Sequence, residues 1–398
     1  MPSVCVIGAF TVKIPRRYSL VFALLLSGLA TAGAQSYTVL DLGTLGGTTS
    51  QAFAISSTGS IAGTSLIAND AAQNAFYSIN GTSLVDLGTL GGLASVGSAI
   101  NASGQVAGSS NFDSSSFNHA FLSNPNGGAL NDLGTLGGSN SFGNGVNASG
   151  QVAGYSSITG NSASHAFLSN PNGGHLNDLG TLPGGTSSFG NAVNSSGQVA
   201  GYSGTASGFN HAFLSDPNGG TLHDLGTLGG RFSFGLAVND IGQVAGRSEL
   251  ASFVQHAFLS APNGGTLQDL GTLGGSSSFG ESVNDSGNVT GYSFLSDNST
   301  QHAFLYTSNG GLADLNNLIG NGTGWVLLNA EAINDSGMIV GFGTFGGQMH
   351  AFLLDPLLIP EPGVASLLVA GIGILGVCRL ARTYASRSRW CAIQGSNL

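Results

Sequence analysis

The sequence predicts an all-β fold, a seven-bladed β-propeller of four-stranded repeats closed by its own N-terminal strand. Three observations carry this reading. The motif Asp-Leu-Gly-Thr-Leu-Gly-Gly recurs from Asp41, Asp86, Asp132, Asp178, Asp224 and Asp269, with a degenerate copy from Asp314, in steps of 45, 46, 46, 46, 45 and 45 residues. A period in that range marks a repeat architecture, in which each unit buries its apolar face against its neighbours. Each unit also divides into four short strands, as a propeller blade does. Finally, the strands are offset. A fourth strand, residues 37–42, stands alone at the N-terminus, and the last unit ends at Leu353-Leu354 without one. The first strand of the chain therefore completes the last blade and closes the ring, which removes open sheet edges. A β-helix or another solenoid array is the alternative, but it has no use for that offset.

The unit from Asp132 shows how the residues dictate the elements. Residues 141–147 form the first strand, and Ala148-Ser149-Gly150 is a turn in which glycine takes positive φ. Residues 151–155, Gln-Val-Ala-Gly-Tyr, form the second strand. After a variable stretch, His165-Ala166-Phe167-Leu168 forms the third. Pro171-Asn172-Gly173-Gly174 is a strong turn signal. Residues 175–179 form the fourth strand, and residues 180–185 the exit loop, where Pro183 is one residue more than the other copies have. No stretch of the repeat region shows helical periodicity over a useful length. Third strands recur at Ala75-Phe76, Ala120-Phe121, Ala166-Phe167, Ala212-Phe213, Ala257-Phe258, Ala303-Phe304 and Ala351-Phe352.

His-Ala-Phe-Leu, Asn-x-Ser-Gly-Gln-Val-Ala-Gly and Asp-Leu-Gly-Thr-Leu-Gly-Gly together resemble the HAF repeat of extracellular bacterial proteins. The first copy departs from it at Asn74 and Ser56, and the last replaces the Gly-Gly loop. The resemblance implies repeat structure and an extracellular location, and no established activity.

Both ends read as processing segments. In residues 1–34, Lys13, Arg16 and Arg17 precede an apolar run, residues 19–29, and Ala32-Gly33-Ala34 offers a signal peptidase its small residues, so the mature chain is expected to start at Gln35. In residues 357–398, Pro360-Glu361-Pro362 precedes an apolar run, residues 363–377, and then Arg379, Arg382, Arg387 and Arg389. The arginines would hold the end of this short transmembrane helix in the cytoplasm. The three parts in this order resemble the PEP-CTERM sorting signal. That resemblance implies transient inner-membrane anchoring, removal of the tail by an exosortase and release at the surface of a Gram-negative bacterium that makes exopolysaccharide.

Between the ends, residues 35–356 hold only Arg231 and Arg247 as cations, and no lysine. A domain so acidic repels phosphate backbones and excludes nucleic acid as a partner. Cys5, Cys378 and Cys391 all lie in the end segments, so the repeats have neither disulfides nor thiolate chemistry.

Few residues in this region suggest catalysis. His119, His165, His211, His256, His302 and His350 recur in register, but ligands on successive blades diverge and cannot converge on one ion. Structural hydrogen bonding is the expected role, with a turn role for the recurring aspartates. The calcium-binding nonapeptide, the Gly-x-Ser-x-Gly elbow, His-Glu-x-x-His and the phosphate loop are absent. Glu281 and Glu331 fall at one position of adjacent first strands, where other copies have Phe53, Ser98, Asn144, Asn191 and Leu236. First strands line a propeller channel, where such a pair serves as a solvated wall, as acid and base on a glycan or as a calcium site. Variation concentrates between the second and third strands, where aromatics such as Phe112, Phe117, Phe209, Phe253 and Phe294 occur. Arg231 and Arg247 of one unit are expected to share that face and meet acidic sugars, or to pair with Glu249. The expected function is a non-catalytic surface protein without metal or cofactor that binds matrix polysaccharide or another surface protein. The alternatives are an extracellular glycan hydrolase or lyase and a self-associating coat.

Overall fold

A computed structural model of the chain describes residues 4–7, 10–13, 36–112 and 117–357. Val4–Ile7 and Phe10–Lys13 pair as an antiparallel hairpin. The repeats form a compact unit of their own, Ser36–Pro356. Ala32, Ala34, Pro360, Glu361, Pro362 and the apolar run 363–377 lie outside the described residues.

The repeat unit is a seven-bladed β-propeller of four-stranded antiparallel sheets. Blade 3 is representative: Gly137–Val146 innermost, then Val152–Ile158, Ser164–Ser169 and Leu176–Asp178. Blades 1 to 6 take their strands in chain order. Blade 7 joins Trp325–Ile333, Ile339–Phe345 and Gln348–Pro356 to the N-terminal strand, Tyr37–Asp41. The closing strand is in register from Tyr37 opposite Pro356 to Asp41 opposite Phe352. The ring thus closes as the offset of strands predicts.

One boundary differs from the sequence reading. In blades 1, 2, 3 and 5 the Gly-Gly pair already begins the inner strand, starting at Gly46, Gly91, Gly137 and Gly229. Blades 4 and 6 keep the Gly-Gly segment as loop, and their inner strands start at Ser188 and Ser278.

The core lies between blades. The phenylalanine of every His/Asn-Ala-Phe strand is fully buried, from Phe76 to Phe352. Phe167, for example, packs with Val152 of its own blade and Ala107, Ala120 and Leu122 of the preceding one. Truncating such a ring to alanine costs about 3–5 kcal/mol. The glycine of Val-Ala-Gly is required beside it. A Cβ on Gly154 would lie 1.9 Å from the Phe142 carbonyl oxygen and 2.7 Å from the Phe167 ring.

Buried polar side chains join one blade to the next. Ser141, fully buried, accepts from Ala120 N of the preceding blade and donates to Gly134 O in the Asp-Leu-Gly turn. Ser50, Ser95, Ser188, Ser233 and Ser278 repeat both bonds. At the entrance to blade 7, Asn316 instead accepts from Leu327 N and donates to Leu327 O. A second set circles the channel. The amides of Asn101, Asn147, Asn194, Asn239 and Asn284 each donate to the backbone oxygen of their counterpart in the next blade, at 3.0–3.2 Å. Asn334 carries the series across the closure to Ser56 O at 3.0 Å. Each bond satisfies backbone groups that would otherwise be buried without partners.

The closing strand contributes five paired residues, buried Tyr37 and Leu42, and the carboxylate of Asp41 beside His350. Deleting residues 36–42 is expected to destabilise the whole ring by on the order of 5 kcal/mol. Chemical denaturation would measure this, and an unchanged midpoint would remove the strand from the load on blade 7.

Candidate functional site

The recurring histidines and aspartates meet within each blade. Nδ1 of His119, His165, His211, His256, His302 and His350 lies 2.7–3.0 Å from a carboxylate of Asp132, Asp178, Asp224, Asp269, Asp314 and Asp41. In blade 1, Asn74 donates to Asp86 in the same place. Most of these carboxylates also accept from the glycine two residues on, as Asp132 does from Gly134 N at 2.8 Å, which fixes the turn. Chain pairing and turn geometry occupy both side chains.

The channel is shaped by one feature of the inner strands. In every blade the register against the second strand skips a residue, for example between Gly143 and Gly145. Such a bulge re-aims the extra side chain. The skipped residues are Phe53, Ser98, Asn144, Asn191, Leu236, Glu281 and Glu331, and all seven line a central cavity of about 520 Å³. Asn144 and Asn191 spend their amides on carbonyls of the next blade, Gly190 O and Gly235 O. Glu281 and Glu331 are enclosed by the ring, and their exposed surface faces the channel. Glu331 Oε1 accepts from Asn329 Nδ2 at 2.7 Å. Desolvation, then the neighbouring Glu281 charge, pushes the Glu331 carboxyl up to about 8. Burial also raises Glu281, against the opposing pull of Arg247. One of the two carboxyls is therefore held protonated at neutral pH, because two charges this close and this enclosed are costly. At the mouth beside the Asn ring, Asp240, Asp285 and Asp335 stand on the same side of the channel.

Arg247 and Arg231 occupy different surroundings. Arg247 takes the place that Tyr155, Tyr202 and Tyr292 hold in other blades. Those tyrosines stack on Phe142, Phe189 and Phe279 of their own blades, at 4.5–4.8 Å. The Arg247 guanidinium lies 4.7 Å from the Phe234 ring and 5.2 Å from that of Phe279 in the next blade, so a cation fills one rung of an aromatic ladder.

Arg231 is the third residue of the inner strand of blade 5, on the face of the loops between second and third strands. Its guanidinium carbon lies 4.9 Å from the Phe253 ring, 5.5 Å from Phe232 and 5.6 Å from Phe209 of blade 4. It is Arg231, and not Arg247, that pairs with Glu249, through Nε to Oε2 and Nη2 to Oε1, each at 3.3 Å. Glu249 is buried, and hydrogen bonds from Arg231 hold its carboxyl below the usual range.

This corner departs from a pattern that blades 1, 3 and 6 follow. There the backbone N–H two residues after the first glycine donates to a loop side chain. Thr48 N donates to Asp70, Ser139 N to Asn161 and Ser276 N to Asn298. Those acceptors stand at left-handed φ, 52–55°. In blade 5, Glu249 accepts from Arg231 N at 2.7 Å instead. The left-handed position is then taken by Phe253, at φ 66°, with the residue 66% exposed. The other non-glycine residues at positive φ among the described residues are all Asn or Asp. The spacing of Phe209, Arg231, Glu249 and Phe253 gives no sequence signal for this cluster. The break from Asn or Asp at the loop position is the one clue that alignment of the repeats offers.

No protein-family model and no curated protein sequence matches the chain. Among solved structures it is similar to TolB from Acinetobacter baumannii, at 12% identity and TM-score 0.39 over 61% of this chain and 60% of that one. It is similar to a putative TolB from Agrobacterium tumefaciens, at 14% identity and TM-score 0.39 over 60% of this chain and 87% of that one. It is also similar to Trypanosoma rangeli sialidase, at 14% identity and TM-score 0.36 over 67% of this chain and 54% of that one. The chain thus spans only 60% of the length of the Acinetobacter baumannii TolB.

The raised Glu331 carboxyl has a thermodynamic consequence. Between pH 4.5, its ordinary value, and about 8, the folded state keeps a proton that the unfolded chain has released. Stability therefore falls as pH rises through that window. The denaturation midpoint is expected to drop from pH 5 to pH 8.5, and Glu331→Gln is expected to remove most of that drop. Equal pH slopes for wild type and variant would mean that both carboxyls are ionised in the fold.

Proposed function

We propose that this is an exported, non-catalytic binding propeller that presents the loops between its second and third strands to a polysaccharide or protein outside the cell. One observation carries the reading. The in-register histidines and aspartates of the repeats are engaged in strand pairing and turns, whereas these loops differ from blade to blade and expose aromatic rings. Phe112 is 38% exposed, Phe117 48% and Phe253 66%. Rigid scaffolds with variable loops recognise ligands in this way. Export rests on the two end segments and on a repeat region without cysteine.

A second reading is favoured by the channel carboxyls. Glu281 and Glu331, one of them protonated, are the pair a glycan hydrolase or lyase needs. A polysaccharide panel separates the two. The binding reading expects retention on at least one polymer with no chain shortening, unchanged in Glu281→Gln. Chain shortening that Glu281→Gln abolishes would replace it with the enzymatic reading.

Processing is tested by mass spectrometry of the mature protein. The expected polypeptide starts near Gln35 and lacks the segment after Pro362. A mature protein that ends at Leu398 would remove the sorting step.

A further inference from the structure

The corner where blade 4 meets blade 5 carries more than a general binding face. We propose that Arg231, Glu249 and the rings of Phe209, Phe232 and Phe253 form a subsite for one neutral pyranose unit of a polysaccharide. This rests on the binding reading above and names the ligand class and the place.

Charge decides against a polyanion. Arg231 is one of two cations in residues 35–356, yet its Nε and Nη2 already face the Glu249 carboxylate. The pair sums to zero, so the corner offers an incoming uronate no net attraction. A guanidinium has five N–H donors. Two of them are used by Glu249, and the side chain is 49% exposed, which leaves donors for sugar hydroxyls. Neutral hydroxyls accept such bonds without a desolvated charge.

Shape points the same way. A pyranose has one face of C–H groups and a rim of hydroxyls. The Phe253 ring offers a flat apolar surface beside polar donors, the usual make-up of a small-molecule site. Phe209 and Phe232 meet edge to face at 5.0 Å and brace the guanidinium from the other side.

The backbone supplies an independent argument. Blades 1, 3 and 6 place Asp70, Asn161 and Asn298 at the left-handed loop position, where their side chains accept the N–H of the inner-strand segment, and blade 4 has Gly208 there. Blade 5 moves that acceptor to Glu249 and puts Phe253, a residue that disfavours the conformation, in the vacated place. The exchange holds Phe253 at a strained φ of 66° and leaves its ring exposed, a cost that the acceptors of blades 1, 3 and 6 do not carry. Strain of this kind gathers at ligand sites.

Affinity electrophoresis of the mature protein tests the proposal. The gels would contain dextran, galactomannan or xyloglucan as neutral polymers, and alginate or polygalacturonate as polyuronates. Wild type is expected to be retarded by at least one neutral polymer and not by the polyuronates. Phe253→Asn restores the residue type of blades 3 and 6 and removes the ring. It is expected to keep or raise the melting temperature and to weaken retardation by roughly tenfold, the loss of one stacked ring with its apolar contact. Glu249→Gln keeps an acceptor for Arg231 N and leaves a net positive corner, so polyuronates should begin to retard it. Neutral binding that Phe253→Asn leaves intact would overturn the subsite while the broader binding reading stands. So would a wild type that prefers polyuronates. Retardation by no polymer would remove the subsite as well, and binding to an immobilised surface protein instead would preserve the broader reading alone.

Discussion

The fold depends on buried hydroxyl and amide side chains that complete backbone hydrogen bonding where one sheet meets the next. Each blade is a narrow sheet with little apolar surface of its own, chiefly alanine, valine, leucine and one phenylalanine. Apolar packing alone is non-directional and would fix the angle between such sheets poorly. Ser141 and its counterparts each touch a strand of one blade and a turn leading to the next, so they set distance and angle together. Losing one hydroxyl would strand a buried donor and a buried acceptor, at about 1–3 kcal/mol each. That cost explains how a region without cysteine can hold a ring. The Asn series around the channel does the same at the inner edge, with one gap where Ser56 stands in place of asparagine.

A framework specified by so few residues leaves the rest free to vary. Two places use that freedom. Adjacent blades 6 and 7 carry Glu281 and Glu331 at the bulge, and the ring encloses them enough to hold one proton between them. Blade 5 exchanges a loop asparagine or aspartate for Phe253 by recruiting Glu249. Both specialisations occur at positions where the backbone is already irregular, so neither disturbs a ladder bond.

Much of the fold was legible in the sequence, because its causes are local and repeated. The turn glycines, the His-Ala-Phe strand and the offset of the fourth strand each gave a physical reason for a structural feature. The His–Asp pairs were legible only as a structural role. Their partner, thirteen residues away in the unit of Asp132, is set by the register of the third and fourth strands. The sites were less legible. That Glu249 pairs with Arg231 depends on the inner strand extending back to Gly229, although a Gly-Gly pair in sequence signals a loop. Its partner Phe209 comes from the neighbouring blade, and no spacing encodes a contact across that joint. Arg247 was readable in principle, since it stands where Tyr155, Tyr202 and Tyr292 stand. A lone arginine in a column of tyrosines marks a stacked position, not an exposed one.

The offset between sequence and ring is confined to one blade. Each stretch from one Asp-Leu-Gly to the next carries the four strands of a single sheet, as residues 137–178 do, whereas the seventh sheet joins the last three strands of the repeats to the first. A whole copy gained or lost by recombination would still leave every strand with a partner, and the first and last strands of the ring would still meet as Tyr37 and Pro356 do now. Such a lineage can change its number of blades by duplication alone, without passing through an ancestor that displays an unpaired edge.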